Sequence, residues 1–564
     1  MNRAARRAAG RVAGRAGRVA AAGSAAVLAT AGAGAVVMGS GGVAHANPVL
    51  TVTNTNNSGP GSLRSALLYA ESTYGQDEIV ISATGTVTLL SNLPDLSEGV
   101  DIVGPGSGSF TIDGQGSYDL LFFDSVSTGS IGVSGLTLTN ANPSGHGIYV
   151  GSTSVPVTIS DVVATGITGT CGNGFNFYSV DGTVTITDSA AIGNSSAVCV
   201  GAGLFAGGNT GDLDLTITDS RFTDNETGRA GGGIYVAYST VTIIDSVISG
   251  NTAAQGGGGL RIGPDSLATL RGVEITDNEA DELGGGIAVN DSTLVMTYST
   301  VSGNTAGQSG GGIQAGGYSI VGVLSSTISD NETDLYGGGL YLSDSGGNLI
   351  ANSTISGNRA AAGGAMVAGR LALTTIEQST ITGNAVNGIP VSLPPVDGIM
   401  VEGGTAPAVC GASDPNAIVA DPCGSYGTIE LTGSIVAGNG AIDIGGWSHQ
   451  HVTVDSDHSL LGAFDPDEVT VVDAGGTRTG VTAAQLALGP LADNGGPTLT
   501  HALLSGSIAV DNGPTTPPGF PHGEWDQRGD GYLRVVNGRV DVGAFEVQPD
   551  PPGPTPDPDP TFTG

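Results

Sequence analysis

The sequence predicts an all-β protein that winds as a right-handed parallel β-helix, a solenoid with coils of about 26–27 residues. The first observation is an asparagine that recurs every 26 or 27 residues, with a run of glycines after each of the first six. The second is an apolar residue three positions before each asparagine, followed by Ser or Thr. A fixed period of this size indicates coils that bury their apolar faces only against their neighbours. The predicted ladder consists of Asn225, Asn251, Asn278, Asn304, Asn331, Asn358 and Asn384, with Asn439 as the next match.

The segments between these asparagines are predicted to be short strands. Ile248-Ser249 and Ile275-Thr276 show the pattern, in which one side chain points inward and the next points outward. A second apolar position follows each glycine run, as at Ile234 and Leu260. Val, Ile and Thr dominate these segments and favour strands, and no segment of the array keeps a helical period.

Each repeated asparagine is predicted to occupy a tight corner of its coil. Such a corner often needs a left-handed backbone, which asparagine tolerates better than most residues. Stacked one per coil, the side-chain amides can also hydrogen-bond along the solenoid and satisfy polar groups that the corner buries. We therefore interpret the ladder as structural.

The residue before each asparagine alternates between aspartate and glycine in the first coils, as in Asp224, Gly250 and Asp277. Carboxylates on adjacent coils would lie about 4.8 Å apart and repel, and alternation doubles that distance. At roughly 10 Å, successive aspartates cannot share one calcium ion, whose oxygen ligands lie at about 2.3–2.6 Å. The sequence therefore predicts no metal site and no cofactor, with Ca²⁺ kept as an open alternative.

The first 46 residues are predicted to be a signal peptide. Six arginines precede an Ala/Val/Gly stretch that ends in Ala44-His45-Ala46, an A-x-A cleavage pattern. The remaining chain has eleven arginines and no lysine against 52 carboxylates. Such a charge balance disfavours nucleic acid and anionic lipid as partners. We therefore expect a secreted or cell-surface protein with no transmembrane segment in the mature chain.

Four cysteines in an exported chain permit two disulfides. Cys171 and Cys199 are about one repeat apart, so one turn of the solenoid would stack them about 4.8 Å apart. Cys410 and Cys423 lie together in one irregular stretch and form the second predicted pair. No close-set CxxC or histidine pair accompanies them, which disfavours zinc.

The predicted organisation has five parts: the signal peptide (1–46), an N-terminal cap with the first coils (47–110), the β-helix (111–445), a C-terminal region (446–548) and a disordered Pro/Asp-rich tail (549–564). Residues 62–71 are predicted to be a capping helix with Ser62 at its N-cap. The β-helix carries an insertion near 385–428, which is predicted to be either a binding loop or a disulfide-pinned surface loop.

Several segments resemble bacterial secreted proteins of the pectin-lyase-like, right-handed β-helix superfamily. Residues 50–55 and 59–64 look like the start of CSLREA-type proteins, and 222–225 with 232–235 resemble the repeats of polymorphic outer-membrane proteins. The C-terminal region is similar to the choice-of-anchor Q domain. The segments that carry this last resemblance are 489–503, 509–511, 526–529 and 540–546.

The superfamily includes polysaccharide lyases and polygalacturonases, so the resemblance makes an enzyme one hypothesis. Gly145-His146-Gly147 matches a polygalacturonase motif, but no aspartate pair accompanies it and an isolated tripeptide is weak evidence. The outward position after the glycine runs holds only two tyrosines in six coils, Tyr235 and Tyr341, which is no continuous sugar platform. No catalytic residue is identified, and the oligomeric state is not predicted.

The favoured hypothesis is therefore a non-catalytic, adhesin-like β-helix whose partner is an extracellular glycan or surface component. The alternative is a polysaccharide lyase or glycoside hydrolase.

Overall fold

The computed structural model describes residues 49–549, apart from 143–144, 209–212, 371, 391–394, 403–426, 448–451, 517–518 and 520–522. The predicted signal peptide (1–46), the predicted Cys410–Cys423 disulfide and nearly all of the predicted tail (549–564) lie outside the described residues. In the described part, two helices accompany the strands: α1, Leu63–Ser72, and α2, Ala483–Leu486. A search of these residues finds no helix with the length and apolar character that crossing a membrane requires.

Helix α1 is the predicted capping helix. Its N-cap is Ser62, whose side-chain oxygen accepts a hydrogen bond from the backbone N–H of Ser65. The helix buries Leu63 and Leu67 and contacts Val49–Val52 and Asp77–Ile81, the paired strands of the first two coils. The apolar end of the stack is thereby covered, as solenoids require.

Each regular coil contributes strands to three parallel sheets, A, B and C. The prediction of an all-β, right-handed parallel β-helix is therefore confirmed. In one coil, Ile234–Ala237 belongs to sheet B, Ser239–Ile244 and Val247–Ser249 to sheet A, and Thr252–Ala253 to sheet C.

The strands of sheet A are Val49–Val52, Asp77–Ile81, Gly85–Thr88, Val100–Val103, Phe110–Tyr118, Ile131–Ala141, Val157–Thr165, Thr183–Thr187, Ala190–Ile192, Leu213–Thr218, Arg221–Thr223, Ser239–Ile244, Val247–Ser249, Leu267–Arg271, Glu274–Thr276, Thr293–Thr297, Thr300–Ser302, Ile320–Leu324, Thr327–Ser329, Asn348–Ala351, Thr354–Ser356, Leu373–Glu377, Thr380–Thr382, Thr428–Thr432, Ile435–Val436, Val452–Asp457, Leu460–Leu461 and Val469–Gly475.

The strands of sheet B are Leu121–Asp124, His146–Gly151, Asn173–Tyr178, Leu204–Gly207, Ile234–Ala237, Leu260–Ile262, Ile287–Asn290, Ile313–Gly316, Leu340–Leu342, Met366–Ala368, Ile399–Val401 and Ile444–Gly446. The strands of sheet C are Thr168–Gly169, Ser195–Ser196, Glu226–Thr227, Thr252–Ala253, Glu279–Ala280, Thr305–Ala306, Glu332–Thr333, Arg359–Ala360 and Ala385–Val386. One antiparallel pair, Leu488–Ala492 with Thr500–Leu503, lies apart from these sheets.

The core is a continuous column of inward-pointing side chains that runs through the solenoid. At the position three residues before each ladder asparagine, every side chain is fully buried and lies in register with the next coil. Burial of one such aliphatic side chain stabilises the fold by about 1.5–3 kcal/mol. These residues are Phe222, Ile248, Ile275, Val301, Ile328, Ile355 and Ile381.

The asparagines form a continuous hydrogen-bonded ladder inside the corner between sheets A and C. Asn251 Nδ2 donates to Asn278 Oδ1 (2.9 Å) and to the carbonyl of Phe222 (2.8 Å), and the Asn251 backbone N–H donates to the same Oδ1 (3.0 Å). The contacts repeat along the ladder to Asn384, whose partner is Asn439 (2.7 Å). The amides thus satisfy buried corner groups, which would otherwise each cost about 1–3 kcal/mol.

The ladder extends one residue beyond the predicted series at each end. Asn194 Nδ2 donates to Asn225 Oδ1 (2.9 Å), and Asn194 Oδ1 accepts from the backbone of Ile167. At the other end, the Asp443 carboxylate accepts from both the side chain and the backbone of Asn439 (2.9 Å each). Asn194 and Asp443 do not follow the 26- or 27-residue period. Asn194 precedes Asn225 by 31 residues, and Asp443 follows Asn439 by four.

The prediction that the ladder asparagines adopt a left-handed backbone is wrong. The positive φ belongs to the residue before each of them: Asp224 (57°), Gly250 (65°) and Asp277 (55°). Asn225 and its counterparts hold their places through side-chain hydrogen bonds, and the preceding residue makes the turn. Gly and Asp are among the residues that adopt this conformation at least cost.

The Asp/Gly alternation has a steric cause in addition to charge repulsion. Asp224 Oδ1 lies 2.6 Å from where a Cβ on Gly250 would be, and Asp277 Oδ1 lies at the same distance from a Cβ on Gly303. Each aspartate side chain therefore leans over the next coil and occupies the space that the glycine leaves. A side chain at Gly250 would meet both this carboxylate and an unfavourable positive φ.

A second ladder, of serines, runs along the corner within sheet A and was not predicted. The backbone N–H of Ser299 donates to Ser326 Oγ (3.1 Å), and that of Ser326 donates to Ser353 Oγ (3.2 Å). Serine is common throughout the chain, so its period is masked in the sequence. The same contact continues through Ser379, Ser434 and Ser459.

Cys171 and Cys199 form the predicted disulfide between neighbouring coils, with 4.8 Å between their Cα atoms. In the described part of the chain, no free cysteine is found. The bridge joins the early coils, which contain the least regular repeats.

Strands of the solenoid continue to Val469–Gly475, inside the region predicted as 446–548. Residues from the hairpin onward then return along the outside of sheet A. Gln527 Nε2 donates to Thr327 Oγ1 (2.9 Å), the Thr354 hydroxyl donates to Gln527 Oε1 (2.6 Å), and the backbone of Ala544 donates to Thr380 Oγ1 (3.0 Å). These three threonines point outward, yet they are at most 2% exposed.

Arg528 holds this returning segment together. Its guanidinium pairs with Asp526 Oδ2 (2.6 Å) and lies between the rings of Tyr532 and Phe545, at 4.0 and 3.8 Å from their centroids. It also donates to the carbonyl of Glu546 (2.6 Å). Arg528 is 6% exposed, so the Arg-Gly-Asp tripeptide that begins here does not present its arginine to solvent.

Candidate functional site: an aromatic column on sheet B

The outer face of sheet B carries two rows of outward-pointing residues, each with one position per coil, and the residues of a row lie in register. The candidate site lies on the first of these rows. In five successive early coils the position is occupied by Phe122, Tyr149, Asn176, Phe205 and Tyr235. The four rings are partly buried. We call these five residues the aromatic column.

The sequence did not reveal the column, because the regular asparagine period that defines the coils begins only at Asn225. Those coils supply Tyr235, Arg261, Ala288, Gln314, Tyr341 and Val367, the six residues that gave no continuous strip. The earlier coils carry the same Gly-apolar-outward pattern in Gly147-Ile148-Tyr149 and Gly203-Leu204-Phe205. That signal was present but lay outside the regular period.

The rings stack on one another along the solenoid. Phe122 and Tyr149 have centroids 4.3 Å apart and planes that differ by 8°, and Phe205 and Tyr235 have centroids 5.8 Å apart and planes that differ by 17°. Tyr178, on the adjacent outward row, lies 6.4 Å from Phe205. These separations match or approach those of favourable aromatic pairs.

Two glycines leave room for the rings to extend along their own strands. A Cβ on Gly151 would lie 2.7 Å from the Tyr149 ring, and one on Gly207 would lie 2.9 Å from the Phe205 ring. Both glycines occupy the outward position two residues after the ring they accommodate. A side chain at either glycine would therefore displace the ring beside it.

Asn176 interrupts the column and joins a buried polar cluster. Its Nδ2 donates to Asn173 Oδ1 (2.8 Å) and lies 3.5 Å from His146 Nδ1. The His146 ring is 5.3 Å from that of Tyr149. His146 belongs to the Gly-His-Gly motif, which the structure therefore places beneath the column.

Burial determines the charge state of this cluster. It lowers the pKa of His146 to about 4, although the charge of Asp119 acts in the opposite direction. Burial also raises the pKa of Tyr149, with the charges of Asp124 and Tyr178 adding to the effect. At neutral pH both side chains are uncharged and can act as hydrogen-bonding groups.

Beyond Tyr235 the same row changes character. Arg261 follows on the next coil and lines a cavity of about 300 Å³ with Gln255 and Glu282. Burial lowers the pKa of Arg261, and no described carboxylate lies within ion-pair distance of it. The row therefore changes from aromatic to cationic at this coil.

The late coils of sheet B are covered. Val367 and Met400 occupy the outward row and are fully buried, together with Val396. Tyr336 and Trp447 pack over them, with ring centroids 4.9 Å apart. Tyr336, Tyr341 and Trp447 themselves stay partly exposed at the outside of this cluster.

The predicted ladder asparagines do not line the column. All eight are at most 6% exposed and lie inside the corner between sheets A and C. Among the described residues, no group of three or more His, Cys, Asp or Glu side chains is placed to hold a metal ion. The predicted ladder is therefore structural in position, and the candidate site is formed by other residues.

The chain matches the family description "right handed beta helix region" over residues 202–369. A search of curated protein sequences found no match. Among solved structures it is similar to the A-module of mannuronan C-5 epimerase AlgE4 from Azotobacter vinelandii, at 15% identity over 75% of this chain and 100% of that one, with a TM-score of 0.36. It is also similar to pectate lyase Pel9A, at 12% identity over 89% of this chain and 98% of that one, with a TM-score of 0.26.

Tailspike protein 3 of bacteriophage CBA120 is similar at 10% identity, over 76% of this chain and 61% of that one, with a TM-score of 0.27. Similarities this low transfer no activity to this chain. The strand register and the family match together identify its fold as a right-handed β-helix.

Proposed function

We propose that this chain is a secreted or cell-surface β-helix protein that binds an extracellular glycan along the aromatic column, without catalysis. The observation that supports this most strongly is the column itself. Four partly exposed rings in five coils form an apolar surface that the core does not require, since inward residues already fill it. Rings with one solvent-facing side suit ligands with alternating apolar and polar surfaces, such as sugars.

The proposed location follows from the predicted signal peptide at 1–46 and from the strongly acidic remainder of the chain. We keep the choice-of-anchor Q-like assignment of residues 446–548 as part of the proposal. The contacts of Gln527 and Arg528 support a role for this region in bracing the coils of sheet A.

The experiment measures retention of the purified protein on a panel of neutral and acidic glycans. Phe205→Ala and Tyr149→Ala are each expected to weaken binding about tenfold or more, which corresponds to about 1.4 kcal/mol per ring. Tyr74→Ala is the matched control, since Tyr74 is 80% exposed and lies outside the column. Equal binding by all three variants would refute the column as the glycan surface.

A polysaccharide lyase or hydrolase is the second candidate. His146 and Tyr149, two groups capable of proton transfer, meet at the column, and this observation favours it. Incubation with the same glycans, with and without calcium, distinguishes the two. Release of reducing or unsaturated ends that His146→Ala abolishes would establish the enzyme, and binding without turnover supports the non-catalytic proposal.

A further inference from the structure

The break in the aromatic column contains an unpaired buried acceptor. Asn176 lies in register between Tyr149 and Phe205 and is 8% exposed. Its Oδ1 has no hydrogen-bond partner in the structure. An unsatisfied buried carbonyl costs about 1–3 kcal/mol, so this oxygen is a place where a water molecule or a ligand hydroxyl group would be stabilised.

The neighbouring residues fix which way this amide points. Asn173 Nδ2 donates to the carbonyl of Val200 (2.9 Å), so Asn173 Oδ1 must accept. Asn176 must therefore present Nδ2 to Asn173 Oδ1, at 2.8 Å, and its own Oδ1 is left over. The other Nδ2 hydrogen approaches His146 Nδ1 (3.5 Å), a contact that favours the neutral tautomer with its proton on Nε2.

The cluster thus holds one acceptor, Asn176 Oδ1, and one donor, His146 Nε2–H. Neither has a protein partner in the described structure. Less than 1 Å² of the Oδ1 surface is accessible, so a ligand hydroxyl reaches it only when a neighbouring side chain moves. A hydroxyl group both donates and accepts, so it matches this pair, whereas a carboxylate can only accept. The amide lies between two rings that would contact the apolar faces of the same ligand.

Charge around the cluster disfavours an anionic ligand. Asp119 Oδ1 accepts from the backbone of Gly145 beside His146, and Asp124 lies in the same row as Gly151, next to the Tyr149 ring. The cation of this row, Arg261, is three coils away from Asn176, or about 14 Å at the usual strand spacing.

We propose that His146, Asn173 and Asn176 form a subsite that binds the hydroxyl groups of an uncharged sugar unit. The inference rests on the proposed glycan-binding function and specifies its ligand class as neutral rather than acidic. Asn176 and His146 contact the sugar, and Asn173 positions the Asn176 amide.

The test uses matched pairs of hexasaccharides, cellohexaose and mannohexaose against the same chains oxidised at C6 to uronates, with affinities measured by calorimetry. Wild-type protein is expected to bind the neutral member about tenfold or more tightly. Asn176→Leu and His146→Phe are each expected to lose about tenfold for the neutral member, about the value of one hydrogen bond, with the uronate unchanged. Gln314→Leu is the control, because Gln314 occupies the same row and is also 8% exposed.

Equal or tighter binding of the uronates would overturn the neutral subsite, as would unchanged binding by both variants. The glycan-binding function would survive either result if Phe205→Ala still weakened binding. If no glycan binds the wild type, the function and the subsite both fail. A melting temperature for each variant separates lost recognition from lost folding.

Discussion

The early and late coils of this solenoid share one interior but differ in what covers their outer faces. The same asparagine ladder and aliphatic core run from Asn225 to Asn439. In the early coils the outward residues are exposed charges such as Arg221 and Glu274 on sheet A, and rings on sheet B. In the late coils the equivalent positions are buried by the returning C-terminal segment on sheet A and by the cluster around Trp447 on sheet B.

The difference shows that the repeat builds the same interior everywhere. The outward residues decide whether a coil is covered by another segment or left open to a ligand. Thr354 and Met400 point outward, yet both are fully buried, because another segment packs over each of them. Tyr149 and Phe205 occupy an outward row that nothing in the described structure covers. A row of rings that stays partly exposed on a stable scaffold is the feature that favours a binding surface.

The largest effect should come from a charge placed in the covered row. Met400→Asp buries an unpaired carboxylate and is expected to destabilise the late coils by about 3–5 kcal/mol. Tyr235→Asp, in the open row, leaves its carboxylate in water and should change stability little. Urea unfolding followed by tryptophan fluorescence reports the late coils, because Trp447 packs there. Similar midpoints for the two variants would contradict the assignment of covered and open rows.

The disulfide provides the next test, because it lies in the early coils only. Replacing Cys171 and Cys199 together with serine should cost about 2–4 kcal/mol. Coils interact mainly with their neighbours, so the loss should be local. Hydrogen exchange is expected to quicken in the strands from His146–Gly151 to Leu204–Gly207 and to stay unchanged in Leu340–Leu342. Uniform acceleration along the chain would show instead that the solenoid unfolds as one unit.

Features that repeat were predictable from the sequence, and features that depend on distant contacts were not. The core positions and the ladder were predictable because a strict period identifies the equivalent residue in every coil. Asn194 and the column residues Phe122 and Tyr149 were missed because the early coils vary in length. The alternation of Asp224 with Gly250 was noticed, but its steric cause appears only when one coil lies on another.

The covered outer faces were beyond sequence reasoning for a different reason. Gln527 meets Thr327 and Thr354 across separations of 200 and 173 residues. A row of outward threonines looks the same in the sequence whether solvent or another segment faces it. The resemblance at residues 526–529 indicated a domain type, and the structure shows that these residues contact the coils.

Truncation of two tyrosines in the same outward row should separate binding from stability. Tyr149→Ala is expected to lower glycan affinity by about 1–3 kcal/mol, as removal of a central aromatic contact does, with little loss of stability. Tyr341→Ala should do the reverse, because Tyr341 packs against Tyr336 in the covered cluster. Calorimetry and urea unfolding on both variants make the comparison. Loss of affinity in Tyr341→Ala alone would move the binding surface to the late coils.

The smallest expected effect is on the pH dependence of stability, which should run in opposite directions in the early coils and in the returning C-terminal segment. In the early coils, burial lowers the pKa of His146 from near 6.5 to about 4, so the folded state disfavours the proton. Its contribution to stability is present above about pH 6.5 and is lost as the pH falls toward 4. In the returning segment, burial and the charge of Asp541 raise the pKa of Glu546 from near 4.5 to about 8, against the opposing effect of Arg534.

The contribution of Glu546 is therefore complete below about pH 4.5 and is lost as the pH rises through 8. Hydrogen exchange, corrected for its intrinsic pH dependence, should show that amides in His146–Gly151 lose protection toward pH 4. Those of Val536 and Asp541, whose N–H groups donate to the Glu546 carboxylate, should lose protection toward pH 8. His146→Phe and Glu546→Gln should each remove the response of their own region only. Parallel pH profiles in the two regions would mean that their stabilities are set by the shared interior rather than by what lies on the outer faces.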